Sequence, residues 1–589
     1  MDIAKKALAM SQLNLQVIAH NVANANTPGY SRQRAELMTS PPLSYPSLSR
    51  GGFPQQLGAG VDVEAVRRIR DEFLDEIIRK QTGTQGYNKT VETALSQIEL
   101  IYNEPGENTL GALIDKFFAA WLDLANNPEL VSTRANLREQ AVSLVREFNR
   151  IDDSLKRLGQ EQISQIYLKV EEANNLARQI ADLNIQIGQV KGLGDNPNDL
   201  MDRQDELVEE LGDIVPISTI DQSDGTVSVL IGGLRIVEQD RAQQLVVKSG
   251  NDPTSDIRIE FSNQSKPDLT GSGVLAGLIE TFQETVPHFL SKLDNLATSI
   301  VNRVNYHHLD GFGLDGVKGR AFFSDIRTAE IVGTTAFAAD ISEDTPIDQL
   351  GITAGNFEIM GTEIIIQPND VTPAQAITLG ELLDRINLAQ PWVRAVLVEE
   401  TGGSKRIRLD LFNPVEKDME ITTFRGSSSF LTVAGLENEQ TNFLDANELY
   451  SNSADMMEVY LAIIDNLDYI AAAGDDGSGI FPGPGNNENA ITIASLQSIS
   501  NALFETTYGD YYSSTIAELG SVKQAISRLV TNQDVLLSQL NVRRESVRGV
   551  NMDEEAAAMI VFQRIYEGAA RVIQVIDTML DTVINRLGA

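Results

Sequence analysis

The chain has 589 residues, with 47 Lys and Arg against 83 Asp and Glu, which gives a formal net charge of -36 at pH 7. This length exceeds a single hydrophobic core and predicts several domains. The negative charge repels phosphate, so we expect no nucleic-acid binding and no attachment to an anionic membrane surface. The chain has no cysteine, which excludes disulfide bonds and thiolate chemistry. With neither a signal-peptide pattern nor a long apolar run, we expect no cleaved leader and no membrane insertion.

The N-terminus has the period of an amphipathic helix over residues 1–27. Thr27-Pro28-Gly29-Tyr30 then predicts a turn, because proline and glycine oppose helix continuation. Ser, Pro and Gly are frequent afterwards, and we predict an extended linker over 36–62. The stripe of the helix consists of Ala4, Leu8, Ser11, Leu15, Ile18, Val22 and Ala25.

The middle of the chain changes its period several times. Helical periodicity returns near Val63 and continues to about Val190. After Pro216, short β-branched runs separated by glycine predict hairpins, and residues 274–306 predict a helix kinked at Pro287. The clearest helical seam comprises Ile163, Ile166, Val170, Ala173, Ala177, Ile180, Asn184 and Ile187. Residues 322–450 combine short strands with a helix at 374–388, as an inserted α+β domain would.

The C-terminal part is predicted to be helical from about Ala454, with a Gly/Pro/Asn loop at 474–487. One seam there consists of Leu519, Val522, Ile526, Leu529, Gln533, Leu536 and Leu540. The last seam consists of Met559, Phe562, Tyr566, Ala569, Ile573, Ile576, Leu580, Val583 and Leu587. A second apolar stripe on the last helix, seven residues apart, consists of Ile565, Val572 and Met579.

These patterns predict a mainly α fold with inserted β and α+β domains. We expect the terminal helices to form a coiled-coil pair, with a long helical-bundle body and β-rich outer domains. The predicted parts are 1–35 with 548–589 for the terminal coiled coil, 36–62 for the linker, 63–213 with 451–547 for the helical bundle, 214–321 for a β-rich domain with a returning helix, and 322–450 for the outer α+β domain.

A lone terminal helix is marginally stable, because burial of one stripe barely offsets the backbone entropy of ordering it. Two interpretations follow from the pattern alone. In the first, the two ends are loose in the free monomer and order by packing on each other and on neighbouring copies. In the second, they form an intramolecular antiparallel pair that caps an ordinary helical domain.

No residue pattern predicts a catalytic, cofactor-binding or metal site. His307 and His308 are adjacent, so they do not share one helix face, and we interpret them as a polar helix end. Residues 311–316 fit G-x-G-x-x-G but lack the strand–turn–helix context, which favours a flexible turn. Asp221 and Asp224 supply too few ligands for an EF-hand and indicate a hairpin turn.

Residues 20–33 read HNVANANTPGYSRQ, and residues 549–557 read GVNMDEEAA. Both segments resemble motifs of the flagellar rod, hook and hook-associated axial protein family. In the segment 549–557, Asn551 suits a helix N-cap, and residues 553–555 place acidic side chains in the first turn, which the helix dipole favours. Met552 and Arg548 depart from the family's usual residues. Similarity to the hook-associated branch extends over roughly 1–320 and 450–589, on the words at 117–129, 196–208, 273–280 and 486–491.

The resemblance implies a non-enzymatic subunit that forms a ring of identical copies at the junction between hook and filament. It implies the hook protein, hook-associated protein 3, a cytoplasmic export chaperone on the C-terminal helix and the flagellar type III export apparatus as partners. The location implied is the extracellular flagellum, after a transient cytoplasmic stage. The axial-core contacts implied are Leu8, Leu15, Ile18, Val22, Asn24, Asn26, Thr27, Pro28, Gly29, Tyr30, Met559, Phe562, Tyr566, Ala569, Ile573, Ile576, Leu580, Val583 and Leu587.

Two alternatives stay open on the sequence. With 83 acidic residues, paired carboxylates will arise by chance, so a secreted enzyme with a helical anchor, such as a wall hydrolase or a protease, is one. The other is an adhesive or signalling role for the outer domain, which is compatible with a junction subunit.

Overall fold

The computed structural model describes residues 2–41, 58–103, 106, 109–248, 257–324, 326, 329–332, 335–359, 362–373, 375–389, 393–399, 404–411, 425–434, 436, 453–475, 479–499 and 506–582. Most of the predicted linker, residues 42–57, lies outside this set. So do Val583 and Leu587, the last two residues of the predicted C-terminal seam.

The α-helices in chain order are α1 (Asp2–Ala23), α2 (Glu72–Tyr102), α3 (Leu110–Asn126), α4 (Val131–Gly192), α5 (Asn198–Ile214), α6 (Val274–Glu280), α7 (Val286–Asp310), α8 (Leu379–Ala389), α9 (Phe430–Ala434), α10 (Ser453–Met456), α11 (Leu461–Asp465), α12 (Glu488–Ser495), α13 (Tyr508–Arg548) and α14 (Met552–Asp581). A π-helical turn, Thr281–Thr285, separates α6 from α7. The interruption predicted at Pro287 is therefore found one turn earlier, and Pro287 lies in the first turn of α7, where a missing N–H is tolerated.

The strands are β1 (Gln33–Thr39), β2 (Val61–Arg68), β3 (Ile217–Asp221), β4 (Val227–Ile231), β5 (Leu234–Glu238), β6 (Arg241–Ala242), β7 (Leu245–Lys248), β8 (Arg258–Phe261), β9 (Ala329–Val332), β10 (Gly355–Ile359), β11 (Thr362–Ile366), β12 (Val393–Glu399), β13 (Lys405–Leu411) and β14 (Arg425–Gly426). Within the described residues the sheets are small and antiparallel, in the orders β1-β2, β3-β4-β5-β6, β7-β8, β12-β13-β9 and β11-β10-β14.

The chain divides into two compact units. Unit 1 comprises Met1–Glu92, Gln162–Glu280 and Ala525–Ala589, and unit 2 comprises Thr93–Glu161 and Thr281–Gln524. The division into five domains stays a prediction. Among the described residues, none of the helices combines the length with the apolar composition that crossing a membrane requires.

In unit 1, the chain after α1 forms a strand pair where we had predicted linker and the return of helix. Gln33 pairs with Arg68, and Thr39 pairs with Val61. The prediction of helix from Val63 was therefore wrong, and α2 begins only at Glu72. Val61, Val63 and Val66 explain the difference, because β-branched residues over a short segment favour an extended backbone.

The predicted seam of α4 is confirmed, and one of its members has an unexpected role. Six of its apolar residues are buried and Ile163 is half-buried, whereas Asn184 is a buried amide. Its Nδ2 donates to the carbonyls of Val227 (2.9 Å) and Gln239 (2.8 Å), and its Oδ1 accepts from Val227 N (2.8 Å). Gln204 Nε2 of α5 donates to the same Oδ1 at 2.8 Å. Asn184 thereby joins α4 to α5 and to the predicted hairpins, which are confirmed as β3 to β6.

Unit 2 is built around aromatic side chains. Phe117 and Trp121 on α3 contact the phenylalanine pair after α7, with 5.8 Å between the ring centroids of Phe117 and Phe323 and 5.3 Å between those of Trp121 and Phe322. All four are fully buried. Buried aromatic surface and edge-to-face contacts stabilise such a core.

The inserted α+β segment in unit 2 contains the predicted strands and helix, but the helix begins later than predicted. Thr378 and Glu381 form a reciprocal cap, in which Glu381 N donates to Thr378 Oγ1 (3.2 Å) and Thr378 N donates to Glu381 Oε2 (2.8 Å). This capping box fixes the start of α8 at Leu379 instead of residue 374.

Two predictions for the C-terminal part were wrong in part. The described residues between Ala454 and Thr507 form short helical turns joined by irregular backbone, held in part by bridges from Phe323 to Val459 and from Phe312 to Ala473, whereas the helix predicted beyond them is confirmed as α13 and α14. Of the predicted seam on α13, Leu519 is buried but Val522, Leu529 and Leu536 are exposed, and Val530 and Leu537 are buried instead. Leu537 packs with Leu74, Ile78 and Leu540.

The role of Asn184 yields a prediction. Asn184→Ala leaves the buried Val227 N–H and two carbonyls without their partner, so the free energy of unfolding should fall by about 2–4 kcal/mol. Chemical denaturation measures this. Gln186→Ala, two positions along the same helix and exposed, is the matched control and should change stability by less than about 0.5 kcal/mol. Equal losses in both variants would contradict the role of Asn184.

Candidate assembly interface

The first and last described helices, α1 and α14, pack against each other in unit 1. The beginning of α14 lies beside the end of α1, since Asn21 Nδ2 is 3.2 Å from Glu555 Oε2, and the two helices are therefore antiparallel. On α1, Ile18 is buried among the predicted contacts, and Leu8, Leu15 and Val22 are half-buried. The two ends of the chain thus form a pair within one copy.

On α14, the predicted seam divides by exposure. Ala569 is buried, and four others are half-buried: Met559, Phe562, Ile573 and Ile576. Tyr566 and Leu580 are largely exposed. The seam therefore faces α1 only in part, and much of α14 has no cover in the single chain.

A second apolar surface on α14 is exposed along its length. We call it the outer stripe and define it as Val561, Ile565, Val572, Val575 and Met579, which lie on one side of the helix. The exposed fractions are 50% for Val572 and 61% for Met579. Three of these residues had been predicted as the second stripe, and the structure adds Val561 and Val575.

The turn after α1 is built as its sequence predicts. Asn24 ends the helix, where its Nδ2 donates to His20 O (3.1 Å) and its Oδ1 accepts from Thr27 Oγ1 (3.2 Å). Gly29 has φ +78, a left-handed conformation that glycine adopts without strain. Asn26, Thr27 and Pro28 are exposed, so they shape the turn and leave their side chains accessible.

Tyr30 packs back onto α1 as predicted. Its hydroxyl donates to Asn21 Oδ1 at 2.7 Å and lies 3.0 Å from His20 Nδ1. Burial raises the pKa of the Tyr30 phenol well above its usual value, and the negative charges of Asp199, Asp202 and Glu555 raise it further. The phenol therefore stays protonated and remains a donor.

Asn21 is the polar centre of this region, which sequence reasoning did not identify. It is 1% exposed. Its Nδ2 donates to Gln33 O (3.0 Å) as well as to Glu555, and its Oδ1 accepts from Gln33 N (2.9 Å) in addition to Tyr30. One side chain thus joins α1, β1 and α14 with its hydrogen-bonding capacity satisfied.

Glu555 carries a buried charge at the start of α14. Its side chain is 3% exposed and pairs with Arg32, whose Nε lies 2.7 Å from Glu555 Oε1. Arg32 also reaches Glu554 (2.8 Å), and its backbone N–H donates to Arg548 O (2.9 Å). Asn551 is the N-cap, as predicted, and accepts from the N–H of Asp553 at 3.0 Å. The sequence had indicated Glu555 only as a dipole-favoured acid.

We call Asn21, Arg32 and Glu555 the node. Helix α5 binds the residues beside it. Ser31 N donates to Asp202 Oδ2 (3.0 Å), and Gln33 Nε2 donates to Asp199 Oδ1 (2.8 Å). Burial raises the pKa of the Asp202 carboxyl, and its bond to Arg68 at 2.8 Å opposes that rise. The segment 196–208 therefore positions the turn after α1. This role becomes visible only when that turn, β2 and α5 are in contact.

Several known proteins are similar to this chain. A sequence model of the flagellar hook-associated protein FlgK helical domain matches residues 95–323. Models of the flagella basal body rod protein and of the flagellar basal body rod FlgEFG protein C-terminal match residues 1–30 and 546–587. Flagellar hook-associated protein 1 of Bacillus subtilis is 26% identical over 100% of this chain and 98% of its own length. That of Salmonella typhimurium is 26% identical over 99% of this chain and 98% of its own length.

The chain is thus similar to flagellar hook-associated protein 1 over its whole length. The solved structure of the flagellar hook junction protein FlgK from Burkholderia pseudomallei is similar in fold, with a TM-score of 0.52 at 17% identity, over 80% of this chain and 100% of that one. The predicted helical body with β-rich outer parts is thereby confirmed. The rod-protein models cover α1 with its turn, and the whole of α14.

The residues considered as possible chemical sites in the sequence have structural roles in the fold. His308 is buried, its Nε2 accepts from Ala471 N (2.9 Å), and its Nδ1 faces Arg320 O (2.6 Å). This pattern requires a neutral ring with the proton on Nδ1. Gly311 begins the predicted turn, and any side chain there would meet Asn489, because an added Cβ would lie 2.1 Å from its Nδ2.

The node around Glu555 yields a prediction with a matched control. Glu555→Ala leaves Arg32 and Asn21 without a buried partner, so the free energy of unfolding should fall by about 2–4 kcal/mol, discounted for the partial exposure of Arg32. The neighbouring Glu554→Ala removes an exposed partner of the same arginine and should cost less than about 1 kcal/mol. Denaturation of both variants measures the difference. If Glu554→Ala were the costlier change, the buried node would not fix the two ends.

His308 yields a pH prediction. Burial lowers its pKa to about 4 from the usual 6.5. The unfolded chain then binds the extra proton first, so this contribution to stability is complete above pH 6.5 and is lost as the pH falls towards 4. Its size is about 3 kcal/mol. In His308→Gln, unfolding measured from pH 7 to pH 4 should lose that dependence, whereas His288→Gln, half-exposed on α7, should retain it. An unchanged pH dependence in His308→Gln would exclude the neutral buried ring.

Proposed function

We propose that the chain is a structural subunit of the bacterial flagellum that forms the junction ring between hook and filament. The observation that carries this proposal is the outer stripe, an apolar surface left exposed on a helix whose other side already pairs with α1. Contiguous exposed apolar residues on a helix are typical of a protein–protein contact. The similarity to hook-associated protein 1 over the whole chain names the structure in which that contact would be made.

The charge of the chain supports assembly through defined surfaces. A net charge of -36 keeps free copies apart, so association needs a specific apolar contact to overcome the repulsion. The outer stripe of one copy packs against the terminal pair of the next copy. Such a heterologous contact closes into a ring when its rotation divides a full turn. The interior of the ring is then formed by α1 and α14.

The partners follow from the proposed position. The hook protein lies on one side of the ring and hook-associated protein 3 on the other. In the cytoplasm, before passage through the flagellar type III export apparatus, a chaperone covers α14, because an exposed apolar stripe invites shielding. The location is the flagellum outside the cell. The protein is not an enzyme in this proposal, and the histidines and the glycine turn serve its fold.

A pair of double variants tests the contact. Val572→Asp with Met579→Asp adds two charges to the outer stripe, and Gln563→Asp with Gln574→Asp adds the same two on the other side of α14. All four positions are exposed, so each pair should change monomer stability by less than about 1 kcal/mol. In the bacterium, the first pair should give hooks without filaments, with flagellin shed into the medium. The second pair should give normal filaments.

Electron microscopy of the two strains and flagellin assay of the medium provide the readout. Deletion of residues 560–589 is the coarser version and should also stop incorporation at the hook. Normal filaments in the strain with Val572→Asp and Met579→Asp would rule out the outer stripe as the assembly contact. A zymogram in which the purified chain cleaved cell wall or protein would instead favour the enzyme alternative.

A further inference from the structure

A group of carboxylates in unit 2 has no part in the assembly contact. Asp152 and Asp153 belong to α4, and Asp455 belongs to α10. One oxygen of each lies within 4.8 Å of the others. Oxygens that share one calcium ion at 2.3–2.6 Å lie up to about 5 Å apart. The spacing therefore matches a single cation with three carboxylate ligands.

A second observation points to a ligand at the same place. Asp152 is 1% exposed, and among the described residues no group donates a hydrogen bond to its Oδ1. Its Oδ2 faces the Lys156 ammonium at 2.7 Å. A buried carboxylate oxygen without a donor is costly. One Asp152 oxygen lies within 4.8 Å of an oxygen of each of the other two carboxylates, so a cation bound among the three would give the buried Asp152 carboxylate a further partner.

The balance of charge around Asp152 favours the same conclusion. Lys156 Nζ lies 3.2 Å from Asp455 Oδ2 as well. Asp294 of α7 is a further buried acid nearby, and its Oδ1 accepts from Ala454 N at 2.9 Å. The Lys156 ammonium thus pairs with two carboxylates, Asp152 and Asp455, in a group of four acids. Burial raises the pKa of the Asp152 carboxyl, and the neighbouring acids Asp455 and Asp153 add to that rise.

We propose that Asp152, Asp153 and Asp455 bind a divalent cation of the calcium class, which links α10 to α4. The ligands are hard oxygens from one buried and two exposed side chains, which suits the flexible coordination of Ca²⁺ better than the strict octahedron of Mg²⁺. Lys156 is the internal competitor, because its ammonium occupies a cation position between Asp152 and Asp455. Competition and partial exposure imply a weak site, with a Kd on the order of 10⁻⁴–10⁻³ M.

Thermal unfolding of the full chain tests the site. CaCl2 well above the expected Kd should raise the Tm by about 1–3 °C over the value in chelator. MgCl2, and NaCl of equal ionic strength, should raise it less. Asp152→Asn and Asp455→Asn should lose the calcium effect. Asp123→Asn, exposed on α3 in the same unit, is the matched control and should retain it. Asp152→Asn removes a buried charge and should still fold, and Asp455→Asn provides a second, less buried substitution.

Lys156→Met separates a calcium site from an internal ion pair. Without its ammonium, the cluster should have a lower Tm in chelator and a larger rise on adding CaCl2 than the unchanged chain. If Lys156→Met lost stability with no calcium-dependent gain, Lys156 would be the only cation of the cluster and the proposal would be overturned. An equal calcium effect in Asp152→Asn and Asp123→Asn would also overturn it, because that result indicates screening of the net charge.

Discussion

The two ends of the chain are joined by a buried polar node, and the geometry of the terminal pair depends on it. Asn21 and Glu555 are 534 positions apart, yet their side chains are in hydrogen-bonding contact, and Arg32 neutralises the carboxylate. An apolar seam alone could shift by one turn at small cost, whereas a buried charge must keep its partners. The node therefore fixes the register of α14 on α1, and with it the side on which the outer stripe is exposed.

The node also ties the terminal pair to the rest of unit 1 through polar contacts. Asp202 of α5 accepts a hydrogen bond from Ser31 and pairs with Arg68 of β2. The β1-β2 strand pair is therefore held between the helix pair and α5. Because charged hydrogen bonds carry these contacts, the outer stripe of α14 is not covered within the copy. It stays available for neighbouring copies, as the proposed assembly of a strongly negative chain requires.

The parts of the fold that could be predicted from sequence are those with one apolar period. The seam of α4 has a single stripe, and the hairpins β3 to β6 follow from short β-branched runs separated by glycine. On α13 several apolar stripes interleave, and the pattern alone does not distinguish Leu529 from Leu537 as the buried position. The contact of Leu537 with Leu74 and Ile78 decides between them. The start of α8 depends on the capping box of Thr378 and Glu381, a local pattern that is present in the sequence.

The site was predictable where its chemistry is local. Pro28-Gly29 and the packing of Tyr30 concern neighbours in sequence, and the structure has them as predicted. The roles of Asn21 and Glu555 depend on each other across the whole chain, so no local period encodes them. This difference explains why both ends carry recognisable sequence motifs. An apolar stripe can be built from many residue types, whereas the node needs one amide, one carboxylate and one guanidinium at fixed places. The rod-protein models match residues 1–30 and 546–587, which contain Asn21 and Glu555.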